Sequence, residues 1–157
     1  MSDDDSDRAI AAAERLDLDF EVTRHGPVRS LEEAAAARGV SPHQLVKTMV
    51  VRVSEGEHVF VLVPGDREIA WPKLRTLLHV NRLTMASADE AYDVTGYVRG
   101  TITPLGSRTG LPVVADASLT GRISLGGGAH GVALMVDAGA LAAALGATVA
   151  DVTDVAG

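Results

Sequence analysis

The chain has 157 residues, a formal net charge of −7, no cysteine, 46% hydrophobic residues and only 3% aromatics. That length and apolar content suit one folded domain burying about two-thirds of its unfolded surface, and they exclude a disordered chain. The missing cysteines exclude a disulfide framework and thiolate metal sites, and the acidity argues against indiscriminate nucleic-acid binding.

In chain order, residues 1–7 read as a disordered acidic tail, because Asp3, Asp4, Asp5 and Asp7 crowd its seven positions. Acids also stand where a signal peptide needs a basic region, so none is expected. Residues 8–157 read as a single domain. Ile10, Ala13 and Leu16 are three apart and predict a helix from Arg8. Leu16, Leu18, Phe20 and Val22 then alternate with polar residues, as a half-buried strand requires.

Ser30-Leu31-Glu32-Glu33 is a capping box that should start a helix ending at Arg38, with Gly39 as its left-handed stop. Ser41-Pro42-His43-Gln44 repeats the signal over a shorter stretch, and Thr48 to Val53 reads as a strand. Ser54 to Glu57 is a turn, and His58 to Val63 completes a hairpin. Trp71-Pro72 opens a helix, Val80 to Met85 holds a short strand, and Ser87 to Glu90 caps a helix closed by Gly96. Short apolar segments follow at Tyr97-Val98, Pro112 to Ala115, Arg122 to Leu125 and Val132 to Val136. Asp137 caps a last helix, Ala138 to Leu145, and Thr148 to Val152 adds an edge strand. The apolar run from Ala138 to Ala150 is too short to span a bilayer, so no membrane partner is expected. Hairpins mixed with short helices give an α+β fold.

Lys47 stands out. Twelve of the fourteen basic residues are arginine, and only Lys47 and Lys73 break the pattern. If Lys47 opens a strand it shares a face with Met49, Val51 and Val53. An ammonium beside an apolar face either snorkels to water or reaches into a pocket. The five histidines (His25, His43, His58, His79, His130) lack metal-ligand spacing, so no metal and no cofactor are expected. Gly126 to Gly131 opens no helix and reads first as a hairpin turn, although His130 within it can face a ligand. Gly100-Thr101-Ile102-Thr103-Pro104-Leu105-Gly106 is a glycine turn fixed by a proline, whose amides can receive a carbonyl oxygen. Met49, Ile102, Leu105 and Leu125 are candidate pocket walls, with plain core as their simpler role.

In order, His25-Gly26-Pro27-Val28, Ser30 to Ala35, Val46-Lys47-Thr48, Thr95-Gly96-Tyr97, the Gly100 to Gly106 turn, Leu111-Pro112 and Gly128-x-x-Gly131 resemble the YbaK-type family. These are trans-editing aminoacyl-tRNA deacylases related to the editing domain inserted in bacterial prolyl-tRNA synthetase. The resemblance covers about residues 8–152 and implies a mixed, partly barrel-like β-sheet ringed by helices. It implies hydrolysis of the ester joining a wrong amino acid to the 3′ end of tRNA, in the cytoplasm, without metal or covalent intermediate. Lys47 and the Gly100 backbone are then the catalytic groups, with water directed by the tRNA ribose hydroxyl. His25, Arg29, Thr48, Thr101, Thr103, Pro104, Gly128 and His130 become substrate-binding residues. The implied partners are the aminoacyl-tRNA acceptor end and an aminoacyl-tRNA synthetase, with no DNA. Thr23-Arg24 replaces the aromatic residue that usually precedes the first histidine motif of the Cys-tRNA branch, and Val132-Ala133 replaces an acid. Cysteinyl, alanyl, seryl and threonyl esters therefore all stay open. The alternative is a non-catalytic accessory module of the same fold that docks on a synthetase or tRNA.

Overall fold

The structure is a computed structural model that describes residues 2–156, with side chains described from residue 5 onward. The helices form where local chemistry starts and stops them. Ser30 accepts from the Glu33 amide to open α2 (Leu31–Arg38), and Gly39 ends it in the left-handed region. Ser87 opens α4 (Ala88–Thr95) and Asp137 opens α5 (Ala138–Leu145) in the same way. Between α2 and the sheet, Ser41 and Gln44 exchange reciprocal hydrogen bonds around a 3₁₀ turn, Pro42–Gln44. α3 (Trp71–Leu78) has no side-chain cap and relies on proline in its first turn.

The first helix, α1 (Ser2–Arg15), corrects the expected tail: residues 2–7 are helical, while Met1 lies outside the described residues. The physical reason is packing. Ser6 is buried and Arg8 stacks over the Tyr97 ring at 4.6 Å, so the acidic segment is anchored to the body. The strand expected from Leu16 starts later, as β1 (Phe20–Arg24), because Asp17 takes a left-handed φ of 55° to turn the chain out of α1. Its expected inward alternation fails too, since Leu16 and Val22 are both 38% exposed.

The remaining strands are β2 (Leu45–Ser54), β3 (Glu57–Pro64), β4 (Arg67–Ile69), β5 (Thr84–Met85), β6 (Val113–Asp116), β7 (Arg122–Gly126), β8 (Val132–Asp137), β9 (Thr148–Ala150) and β10 (Thr153–Val155). The main sheet runs β1-β8-β7-β2-β3-β6-β9, with β5 paired to β2, while β4 and β10 form a small ribbon. Three pairings are parallel (β2–β7, β3–β6, β6–β9), so the sheet is mixed and the fold is α+β. Tyr97-Val98, read as a short apolar segment, is coil with Tyr97 fully buried.

The two faces of β2 serve two apolar clusters. Val46 and Val50 join Ala9 and Ala13 of α1, Ala91 of α4 and Leu141 of α5. Val51, with Met49 and Val53, joins Leu74 of α3 and Val152. Truncating a fully buried member such as Leu125 or Leu134 to alanine costs about 2–5 kcal/mol.

On the edge of β2 away from β3, β7 pairs only with Leu45 and Val46, and β5 only with Val51 and Arg52. The strand between them is left open. Val50 O accepts from the Ala86 amide on that side, so the two-residue repeat turns the Thr48 main chain into the same gap.

Candidate active site

A cleft of about 600 Å³ occupies the gap. Its floor is the open stretch of β2, from Leu45 to Val50. Met85, Ala86, Ser87, Ala88 and Ala91 wall one side, Arg99, Gly100 and Ile102 another, and Arg38 and Gly126 complete it. Because it fills a break in the sheet, residues from both faces of β2 reach it. Three cations line it (Arg38, Lys47, Arg99) and, among the described residues, no carboxylate does. In a chain of net charge −7 that is a local reversal of sign.

Lys47 is half-buried, and its Nζ donates to the Arg67 carbonyl at 2.8 Å. That carbonyl is held still: Arg67 Nε donates to Thr153 Oγ1 at 2.6 Å and Nη2 to Thr153 O at 3.0 Å, across the β4–β10 ribbon. An ammonium has three donors, and among the described residues only this one has a partner. Burial pushes the Lys47 pKa down, opposed by the charges of Glu68 and Asp66.

Gly100 lines the same cleft, exposed, with φ +89°, a conformation that L side chains rarely adopt. The loop carrying it is braced from behind. Tyr97 Oη donates to Leu105 O at 2.7 Å, Thr101 Oγ1 donates to Val98 O at 2.7 Å, and Thr103 Oγ1 accepts from the Leu105 amide at 3.3 Å. A methyl group at Gly100 would stand 3.6 Å from His130 Cε1, so that histidine adjoins the glycine.

Two polar atoms in the cleft wall are buried with no partner: Thr48 Oγ1 and Arg38 Nε. Arg8 Nε and His25 Nε2, whose residues do not line the cleft, share that state. Burial also pushes the Arg38 pKa down.

Of the residues singled out from sequence, Lys47, Thr48 and Gly100 meet in the cleft, with Met49 and Ile102 as walls. Thr101, Thr103 and Pro104 lie buried behind Gly100, the two hydroxyls engaged within the loop, so they frame the cleft without lining it. Gly128 is a packing residue: a Cβ there would come within 2.6 Å of Asp5 O and 2.8 Å of the Tyr97 ring. His25 is half-buried beside Gly131, with Nδ1 donating to Gly26 O at 2.8 Å, and Arg29 is exposed; neither lines the cleft. Leu105 and Leu125 are core, at 2% and 0% exposure. Arg38 and Ser87 also line the cleft, although in the sequence Ser87 signals only a helix cap and Arg38 only a helix end.

The chain matches the family model for an aminoacyl-tRNA editing domain over residues 25–144. It is 33% identical to the proline–tRNA ligase of Bacillus licheniformis over 107 residues, covering 68% of this chain and 18% of that protein. It is 35% identical to the proline–tRNA ligase of Syntrophotalea carbinolica over 125 residues, or 80% of this chain and 21% of that one. The chain thus spans about a fifth of the length of these curated relatives. A crystal structure provisionally described as a trans-editing enzyme for prolyl tRNA synthetase superposes with a TM-score of 0.85 at 28% identity, covering 96% of this chain and 97% of that one.

Proposed function

The chain belongs to the aminoacyl-tRNA editing domain family, and from that premise we propose that it is a hydrolase that removes a small, wrongly attached amino acid from tRNA. The observation that carries this reading is the cleft itself, where a half-buried lysine and an exposed left-handed glycine line one cationic gap. Water adds to the aminoacyl carbonyl carbon, the ester C–O bond breaks, and the ribose oxygen leaves with a proton. The products are a free amino acid and a tRNA with a free 3′ end. The Gly100 amide donates to the oxygen that gains charge as water adds, which is the largest single contribution such a site can make. Lys47 holds the terminal nucleotide or polarises the ester, and the neighbouring ribose hydroxyl of the tRNA directs the water.

An activated ester needs positioning and charge stabilisation more than a strong nucleophile, which agrees with a cleft wall holding neither cysteine nor carboxylate among the described residues. The walls of Met49 and Ile102 limit the acyl group by size, and one methylene changes binding by about 1–3 kcal/mol. The experiment is turnover. The protein is mixed with tRNAs carrying cysteine, alanine, serine or threonine, and ester loss is timed. Loss of at least one ester well above the spontaneous rate is expected. Binding without turnover on the whole panel would replace the hydrolase with an accessory module that docks on tRNA or a synthetase.

A further inference from the structure

Arg38 has no place in the proposed hydrolysis, and the helix-end position where a basic residue opposes the α2 dipole does not require its guanidinium to reach the cleft. It is the last residue of α2 and lines the cleft on the face of β2 that Lys47 occupies. That side is fixed by register: Arg38 Nη1 reaches Ser124 Oγ at 3.4 Å, and Ser124 pairs with Leu45, two residues before Lys47. The 3.4 Å contact is the guanidinium's one partner among the described residues, and it is long; Nε is buried with none. Lys47 has Glu68 and Asp66 to offset its charge, whereas Arg38 has only burial acting on it. A cation removed from water without a counter-ion destabilises the fold that holds it. Such a group persists where a ligand supplies the missing charge.

We propose that Arg38 is the anion-binding residue of the cleft, taking a phosphodiester of a single-stranded RNA 3′ end through the Nη1–Nη2 edge of its guanidinium, whose sole contact among the described residues is the long one to Ser124. The planar fork matches two phosphate oxygens at once, which an ammonium cannot do. A phosphodiester fits better than a carboxylate on the acyl group, because Arg38 and Lys47 together place positive charge along the β2 floor while the apolar walls are Met49 and Ile102. This inference rests on the reading that RNA enters the cleft, but not on any ester being cleaved.

The test uses the unacylated ribotrinucleotide cytidyl-cytidyl-adenosine, a copy of it with neutral methylphosphonate links, and inorganic phosphate as competitor. Binding to wild type, Arg38→Met and Arg38→Lys is followed by fluorescence anisotropy, alongside thermal melting. Arg38→Met should weaken the charged trinucleotide at least about tenfold. Wild type should show a similar loss on the neutral copy, on which Arg38→Met loses nothing more. Arg38→Lys should recover only part, and Arg38→Met should melt no lower than wild type. Binding by Arg38→Met within twofold of wild type overturns the assignment. So does an equal Arg38→Met loss on charged and neutral probes, or binding of inorganic phosphate through Arg38 without the trinucleotide. If Arg38→Met melts lower, the neutral copy decides: equal affinity of wild type for both probes overturns the proposal. Ester loss, measured separately, decides the hydrolase reading alone.

Discussion

The two lysines of this chain occupy opposite physical regimes. Lys73, on α3, is exposed and paired: its Nζ lies 3.1 Å from Asp151 and 3.1 Å from Asp154, and those hydrogen bonds raise its pKa. Lys47, at the start of β2, is half-buried and faces a carbonyl, and burial lowers its pKa. Lys73 is a surface cation that already has its anions, a type of contact worth little to stability. Among the described residues, Lys47 keeps two donors without partners and the cleft has no carboxylate in its lining. A rare residue type is thus no guide by itself. What separates the two is whether the fold has already satisfied the charge.

The largest expected effect breaks the pair apart in activity. Lys47→Ala should lower ester loss from a mischarged tRNA by about 10²–10³-fold, the scale of losing one charge-stabilising donor. Lys73→Ala should stay within about twofold of wild type, because Lys73 does not line the cleft and the Thr153 carbonyl it touches keeps its bond from Arg67 Nη2. Single-turnover deacylation on one substrate compares them directly. Equal loss in both variants would show a general charge effect and dissolve the contrast.

Next comes Gly100→Ala. Its φ of +89° puts any side chain in a strained conformation, at a cost of order 1–3 kcal/mol, although the Cβ itself would meet His130 at an ordinary contact distance of 3.6 Å. The rate should fall more than tenfold while substrate binding falls less, a split visible in kcat against KM.

A third measurement sharpens the comparison through pH. Lys47 has a depressed folded pKa, so the folded state holds its proton less tightly than the unfolded chain does. Its charge penalises folding at neutral pH, and the penalty lifts as pH rises through the folded value toward the ordinary 10.5. Lys73 has a raised pKa, so its contribution is fully present below 10.5 and is lost as pH rises through the higher folded value. Measured from neutral pH to about 11, the melting difference between Lys47→Met and wild type and that between Lys73→Met and wild type should therefore both shrink, changing with opposite slopes. Parallel curves would mean the two environments do not differ. The smallest effect is salt: the Lys73 cluster is exposed, so the melting difference between Lys73→Met and wild type should vanish by roughly 0.5 M salt.

Helix boundaries were legible from the sequence because they depend on residues three positions apart. Ser30 with Glu33, Ser41 with Gln44, and Gly39, Gly96 and Gly146 all stand where the caps are found. The hairpin of β2 and β3 is equally local. Strand order was not legible, since β2 meets β7 across some eighty residues, through only two paired positions, Leu45 and Val46. β4 and β10 went unseen because each is three residues long and finds its partner at the far end of the chain. Within the cleft, Lys47 was visible as a departure from an arginine-rich composition. Arg38 was not. One arginine among twelve, at the end of a helix where a basic residue opposes the dipole, carries no signal until β7 is laid beside β2.

The account stands on residues 47 and 100 gripping the same ligand. The most direct measurement is an NMR titration of the isotopically labelled protein with a non-hydrolysable 3′-amide analogue of alanyl-adenosine, following the Lys47 side-chain nitrogen and the Gly100 amide, with Lys73 as internal control. The account predicts that both cleft signals shift together along one saturating curve while Lys73 stays in place. A saturating curve carried by other residues, with 47 and 100 unmoved, would contradict it.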